Sequence, residues 1–425
     1  MGLPHAAAMV VGIIVGASIF VQPTEVSRYV PSIPGIFGVW TMAGFITLAG
    51  ALVCAEFASA FPHTGGVYVF LNESISPAAG FLWAWAMFWI VHSGIIAAVA
   101  IIFGRYLAYF FPLGDAGIRV AALAAILLLS FVNLLGVRPG SRVQAFVTAV
   151  KLLAIVIILV AVAMFARAAS TFNRLTGHPL SMEGFALAVG AGLFAFGGWH
   201  IVTYAAGETR QPEKTIPRAL VIGTLIVTVC YLALNAVCLY LLPLDRVTSS
   251  ERVAADAAGV LLGNKGAATI STLVLISSIG VLNGMILAGP RLYLAVAARY
   301  RALHWLDGIH TRFRTPHVAI AIQTVWACIL AATGTYRELF SRVIYTEWIF
   351  FALMTAGLMR LHRRPGYSPA FRTPGYPFIP VLFMTAALSV ACYQIAANPL
   401  RSAGGLLLVV LGLPLYYLWL RKSAR

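Results

Sequence analysis

Charge is scarce in this sequence. Only 10% of its 425 residues are Asp, Glu, Lys or Arg, against about 25% in soluble domains. With 61% of residues hydrophobic, there is too little charge to cover a water-facing surface, which excludes an ordinary soluble domain. Alternating segments of about ten residues are missing too, which excludes a transmembrane β-barrel. No CxxC pair occurs among Cys54, Cys230, Cys238, Cys328 and Cys392. All five fall in apolar runs and read as small buried residues, not as disulfide partners or metal ligands. HExxH, a paired-carboxylate metal motif and a nucleophile elbow are all absent, and His, Asp and Glu are sparse. That argues against a membrane-embedded enzyme, and no cofactor or metal is expected. The closing LRKSAR carries no signalling domain, which argues against a substrate-sensing receptor. The first apolar run lacks a basic leader and a cleavage site, so no signal peptide is expected. The short amino terminus leaves room for a true start upstream. Acids are scarcer than bases, 13 against 29, for a net charge of +16. No aromatic-interleaved basic patch accompanies that excess, so no nucleic-acid partner is expected.

What is present is a series of apolar runs longer than the roughly 20 residues that cross a bilayer. In lipid such runs are helices, because the backbone must satisfy its own hydrogen bonds. About twelve spans fit, over 5–30, 34–60, 78–110, 117–136, 143–166, 182–206, 216–242, 264–298, 316–333, 337–361, 377–397 and 403–420. They predict an all-α integral membrane protein, one transporter domain over 1–425. With both termini cytoplasmic, Arg138, Arg142, Arg210, Lys214, Arg218, Arg360, Arg363, Arg364 and Arg421 fall inside, as the positive-inside rule prefers. The 243–265 stretch, with Asp245, Glu251 and Asp256, is the longest polar loop on the outer side.

Two spans carry glycine clusters. The first reads VVGIIVGASIFVQP, with Gly12, Gly16, Ala17 and Ser18, and the sixth reads AVGAGLFAFGGW, with Gly190, Gly192, Gly197 and Gly198. One cluster alone reads as close helix packing. Two, five spans apart, point to broken helices in a transporter built of inverted repeats. The repeats are expected over approximately 5–166 and 182–361, a five-plus-five arrangement of the LeuT type, with two extra helices over 377–420.

Six motifs in order sharpen this reading: GASIF (16–20), PHTGGVY (62–68), FAFGGW (194–199), GETRQPEKTIPRA (207–219), SSIGVLNG (277–284, with Arg291 beyond) and RTPGYPFIP (372–380). Together they resemble the amino acid–polyamine–organocation superfamily, closest to its L-type amino-acid transporter branch. The departures are Ser18 where glycine is usual, and Phe196 and His200 where that branch commonly has Tyr and Asn. The resemblance implies a multi-pass cell-membrane permease or exchanger for amino acids, working by alternating access, with antiport among its modes. A carrier of polyamines or other organic cations is the alternative, and it needs acids in the site.

Physics and resemblance agree on a site. N–H groups at Gly16, Ala17 and Ser18 face a carboxylate, since a half-helix start favours anions. Carbonyls of Phe194, Ala195 and Phe196 face an ammonium, and Ile19 and Gly197 complete the expected substrate site. Phe194 or Phe196 closes over the ligand or packs in the core. His200 either lines the site or is a packing histidine, and His92 reads as packing. Trp83, Trp85 and Trp89 read as packing or interface anchors. Glu56 and Glu208 read as ion-pairing or capping residues near the inner loops. Glu347 lies deep in the tenth span, where it is protonated, pairs with Arg342 or faces the pathway; an intramembrane carboxylate marks function by default. Lys151 sits roughly 12 Å into the fifth span at about 1.5 Å per residue, where it either snorkels as an anchor or needs polar partners. The resemblance places it where sodium-coupled relatives hold sodium, with Gly12, Gly16, Ser277, Ser278 and Tyr231 as partners, so transport is expected to be sodium-independent. Animal L-type carriers are joined to a heavy subunit through a cysteine in the loop after the third span. That loop here, FPLGDAGIR (111–119), has none, so no covalent heavy subunit is expected.

Overall fold

The computed structural model describes residues 2–62, 65–136 and 181–421, with the side chains of 205, 207, 208, 295, 307 and 420 outside that set. The elements in order are α1 Leu3–Ile14, α2 Gln22–Tyr29, α3 Ile33–Ala60, α4 Val67–Ser74, α5 Pro77–Leu107, α6 Asp115–Leu134 and α7 Met182–Ala195. Then follow α8 Pro212–Leu241, α9 Leu244–Ser249, α10 Val253–Arg299, α11 His317–Thr333, α12 Tyr336–Leu361, α13 Phe378–Ala397 and α14 Pro399–Trp419. No β-strand occurs among the described residues. Nine of the described helices are long and apolar enough to cross a membrane, and two shorter apolar helices, Leu3–Ile14 and His317–Thr333, join them. The expected fifth span, 143–166, lies outside the described residues, and so does Lys151.

The spanning helices form on apolar runs, and polar caps mark where some of them start. Ser76 caps α5 by accepting from the N–H of Ala79 at 3.2 Å, and Thr335 and Glu338 form a reciprocal capping box on α12, which satisfies two otherwise orphaned donors. Large apolar side chains such as Leu128, Val229 and Leu418 stay exposed, as a lipid-facing rim requires. Small residues set the inner contacts. α8 runs against α1 and α3, and a Cβ on Gly223 would stand 2.7 Å from Val10 Cβ, so the two backbones approach to a distance only glycine permits.

Three expectations need correcting. The 243–265 stretch is mostly helical, not an open loop: α9 fills 244–249, and α10 begins at Val253 and bends at Gly263, whose φ is +60°. Its Ala254, Ala255, Ala257 and Ala258 are buried, which turns a polar-looking segment into a packed one. The third span is interrupted by a π-helical turn over Met87–His92 that its apolar run did not signal. Cys392 is exposed on α13, while Cys54 and Cys238 are buried as expected.

At the end of the bundle that carries the chain termini, Glu56 joins α3 to the α12–α13 connection. One carboxylate oxygen lies 2.7 Å from His362 Nε2 and the other accepts the N–H of Thr373 at 2.8 Å. The His362 ring stacks on Tyr376 with centroids 3.8 Å apart. Glu56 is therefore a structural clamp, in line with its reading as a pairing residue.

Gly223→Val drives a side chain into α1. Overpacking of this kind costs about 1–3 kcal/mol, so the unfolding midpoint in detergent should fall clearly below wild type. A midpoint unchanged in a thermal melt contradicts the α1–α8 contact.

Candidate functional site at the two helix breaks

Both glycine-rich spans are broken. α1 ends at Ile14, a 3₁₀ turn runs over Ser18–Phe20, and α2 starts at Gln22. In a continuous helix the N–H of Gly16 would bond the carbonyl of Gly12; here it turns back to Ile14 at 2.6 Å. The N–H groups of Ala17, Ser18 and Ile19 donate to no described backbone carbonyl. Among the described residues these three successive donors have no partner, and all three residues are buried. This shifts the expected anion-facing run by one residue, because the N–H of Gly16 is already used.

The sixth span breaks differently. α7 ends at Ala195, Gly198 adopts a left-handed φ of +92°, and the chain continues as a 3₁₀ helix over Trp199–Glu208. Any side chain at 198 would meet both strain and Ile13, whose Cγ2 would lie 2.7 Å from a Cβ. Of the expected amine-facing carbonyls, Phe194 accepts the N–H of Gly197 at 3.1 Å. The Phe196 carbonyl accepts no described backbone bond.

One side chain joins the two breaks. The Tyr231 hydroxyl on α8 lies 2.8 Å from the Ile14 carbonyl and 2.9 Å from the Ala195 carbonyl. It has one proton for two acceptors, so it can satisfy only one of them fully at a time. Phe196 packs on Tyr231 with ring centroids 4.8 Å apart, and Trp40 closes the other side at 5.6 Å. Phe196 is thus a core residue. Phe194 points elsewhere, onto Tyr336 and Phe340 of α12 at 6.2 Å and 5.6 Å.

His200 and Glu347 come together, as neither alone could show. His200 Nδ1 lies 3.8 Å from Glu347 Oε1, and both side chains are buried. That is too long for a hydrogen bond, and neither ring nitrogen of His200 has a partner among the described residues. A hydroxyl or ammonium about 2.8 Å from each atom would bridge them. Arg342 makes no ion pair with Glu347 among the described residues; it lines a cavity nearer the start of α12. Around His200 stand Phe351 at 5.3 Å, Trp83 at 5.9 Å and Tyr204 at 6.0 Å. Trp83 therefore belongs to this box and not to the lipid interface, while Trp85 and Trp89 pack toward α14 and α11. Phe351 was legible in principle, since it follows Glu347 by four residues and shares its helix face. His92 is also buried with both nitrogens unpartnered, near Gly289 and Gln323.

The expected cation partners are brought close to the first break only in part. A Cβ on Gly16 would lie 3.6 Å from Val281 of α10, which sets that helix beside the break. Ser278 Oγ donates back to the Val274 carbonyl at 2.8 Å. Ser277 Oγ is buried without a partner among the described residues.

The sequence of this broken-helix bundle matches the family model described as amino acid permease over residues 1–412. The chain belongs to the amino acid permease family. The permease is 32% identical to the serine/threonine exchanger SteT of Bacillus subtilis, covering 100% of this chain and 97% of that one. It is 29% identical to the human cystine/glutamate transporter over 98% of this chain and 84% of that one. It is also 29% identical to the human large neutral amino acids transporter small subunit 2, covering 98% and 80%. The permease is thus a multi-pass membrane protein that transports amino acids, and its relatives are transporters and exchangers, not enzymes.

Tyr231→Phe removes the link between the breaks. Interhelical hydrogen bonds in membranes average only about 0.6 kcal/mol, so the unfolding midpoint should move little, while amino-acid uptake falls at least tenfold. Uptake equal to wild type in reconstituted vesicles contradicts a role for the hydroxyl at the breaks.

Proposed function

We propose that the permease is a sodium-independent amino-acid exchanger that works by alternating access around the two breaks. One observation carries the site: a run of three unpartnered N–H groups at Ala17–Ile19 stands across the Tyr231 link from the open Phe196 carbonyl. Donors favour the carboxylate and the carbonyl favours the ammonium, without bulk water. Gly16 keeps the approach clear of side chain. His200 and Glu347 then take the polar end of the substrate's side chain, and Phe194 closes over it from the side of Tyr336. The exchange mode follows the likeness to the serine/threonine exchanger and the cystine/glutamate transporter.

The repeats are read as approximately 5–166 and 182–361, each opening on a broken helix, with 377–420 added. About twelve spans put both termini in the cytoplasm and the permease in the cell membrane, as the placement of arginines favours. Lys151 acts as a built-in cation near Gly12 and Ser277; the orphan hydroxyl of Ser277 and the Gly12 carbonyl, released from Gly16, support it. The 111–119 connection has no cysteine, which supports a carrier that works without a covalent heavy subunit. A second reading, transport of polyamines or other organic cations, is favoured by Glu347, a buried acid without a hydrogen bond among the described residues.

Purified single-chain protein in vesicles, screened with all amino acids and several polyamines, decides between them. Amino-acid uptake without any added protein is expected, and polyamine uptake alone overturns the first reading. Gly16→Leu should abolish uptake while the protein still inserts and folds, because leucine fills the carboxylate's place. Uptake should be equal in sodium and choline media at constant pH and voltage, and Lys151→Ala should lose most of it. Collapse of uptake in choline refutes the built-in cation.

A further inference from the structure

The end of the bundle away from the chain termini holds a cavity of about 530 Å³. Its walls are α2, the last turn of α5, the first turns of α12 and the α13–α14 turn. Five arginines line it, Arg28, Arg105, Arg337, Arg342 and Arg401, against two acids, Glu25 and Glu338. Both acids are engaged. Glu25 holds Arg28 on one oxygen at 2.7 Å and Arg337 on the other at 2.8 Å. Glu338 binds Arg401 and accepts the N–H of Thr335 in the α12 cap. Arg105 and Arg342, both half-buried, have no carboxylate partner among the described residues. Arg105 lies over the Tyr336 ring, 5.3 Å from its centroid.

Several guanidinium groups in one concavity concentrate anions from solution, and each offers a planar fork that fits a carboxylate. The cavity also leads somewhere. Tyr336 lines it and touches Phe194, the ring beside the sixth-span break. A ligand held there is one aromatic layer from the central site.

We infer that this cavity is a second binding station, an antechamber that takes carboxylate anions at Arg105 and Arg342. It is separate from the backbone site at the breaks. The same charge repels cations, so the antechamber favours anionic over cationic amino acids at this end of the carrier. A lipid phosphate offers similar anionic chemistry, and the test separates the two.

The probe is glutarate, a dicarboxylate without the amine that the Phe196 carbonyl would hold. Its binding is read from the thermal midpoint of the purified full chain in uncharged detergent at low salt. Glutarate should raise the midpoint saturably, and 1,5-diaminopentane should not. Arg105→Gln and Arg342→Gln should each weaken apparent glutarate affinity at least tenfold. Arg342→Lys, which keeps the charge but not the fork, should fall between wild type and Arg342→Gln, and Arg312→Gln at the opposite end should leave it unchanged. Raising salt to about 0.5 M should weaken the wild-type response, since exposed charges are screened over a few ångströms there. Equal glutarate responses in wild type and both Gln variants, or no response in wild type, overturn the proposal. A response to short-chain phosphatidylglycerol but not to glutarate assigns the cavity to lipid headgroups and overturns it as well. Because the readout is binding and not transport, it stands or falls independently of the vesicle assays.

Discussion

Inside a bilayer a helix survives by bonding every backbone group to its own neighbours, and two helices of this permease give that up part-way along their length. The structure around them handles the groups left over. The Gly16 N–H turns back onto Ile14, and Tyr231 reaches from a third helix to the carbonyls of Ile14 and Ala195. Trp40 and Phe196 wall this hydroxyl away from lipid. Among the described residues, what is not absorbed includes a short set of donors at Ala17–Ile19 and the acceptor at Phe196. Unsatisfied backbone in hydrocarbon is unfavourable by several kcal/mol per group, so a ligand with matching charges gains where a lipid chain would lose. That imbalance is the physical basis of the recognition site proposed above.

The remaining polar groups are arranged in levels along the bundle. At the end with the termini, Glu56, His362 and Thr373 form a satisfied clamp. At mid-depth, His200 and Glu347 face each other without closing a hydrogen bond. At the far end, arginines outnumber acids around an open cavity. Phe194 stands between the cavity and the breaks, touching Tyr336 of the cavity wall.

Much of the fold was legible because a membrane simplifies the code. An apolar run of about 20 residues has one good conformation in lipid, so span positions followed from composition, and glycine clusters marked where helices fail. The misreadings have one physical origin: each depended on what lies across a helix interface. The 243–265 stretch looks like a polar loop until its alanines are seen buried. Arg342 and Glu347 are close in sequence yet turn to different surroundings. Phe194 and Phe196 are two residues apart, yet one packs on α12 and the other on Trp40 and Tyr231.

The sequence by itself determined that the chain lives in a membrane, that its first and sixth spans break, and that the six ordered motifs belong to an amino-acid carrier. Those are properties of local composition, where lipid and backbone bonding leave few choices. Only the tertiary structure decided which donors at the break stay free, that one tyrosine serves both breaks, and that His200 meets Glu347. It also decided that Arg105 and Arg342 share a cavity. These depend on distances between residues tens to hundreds of positions apart, and no local pattern carries a distance of that kind.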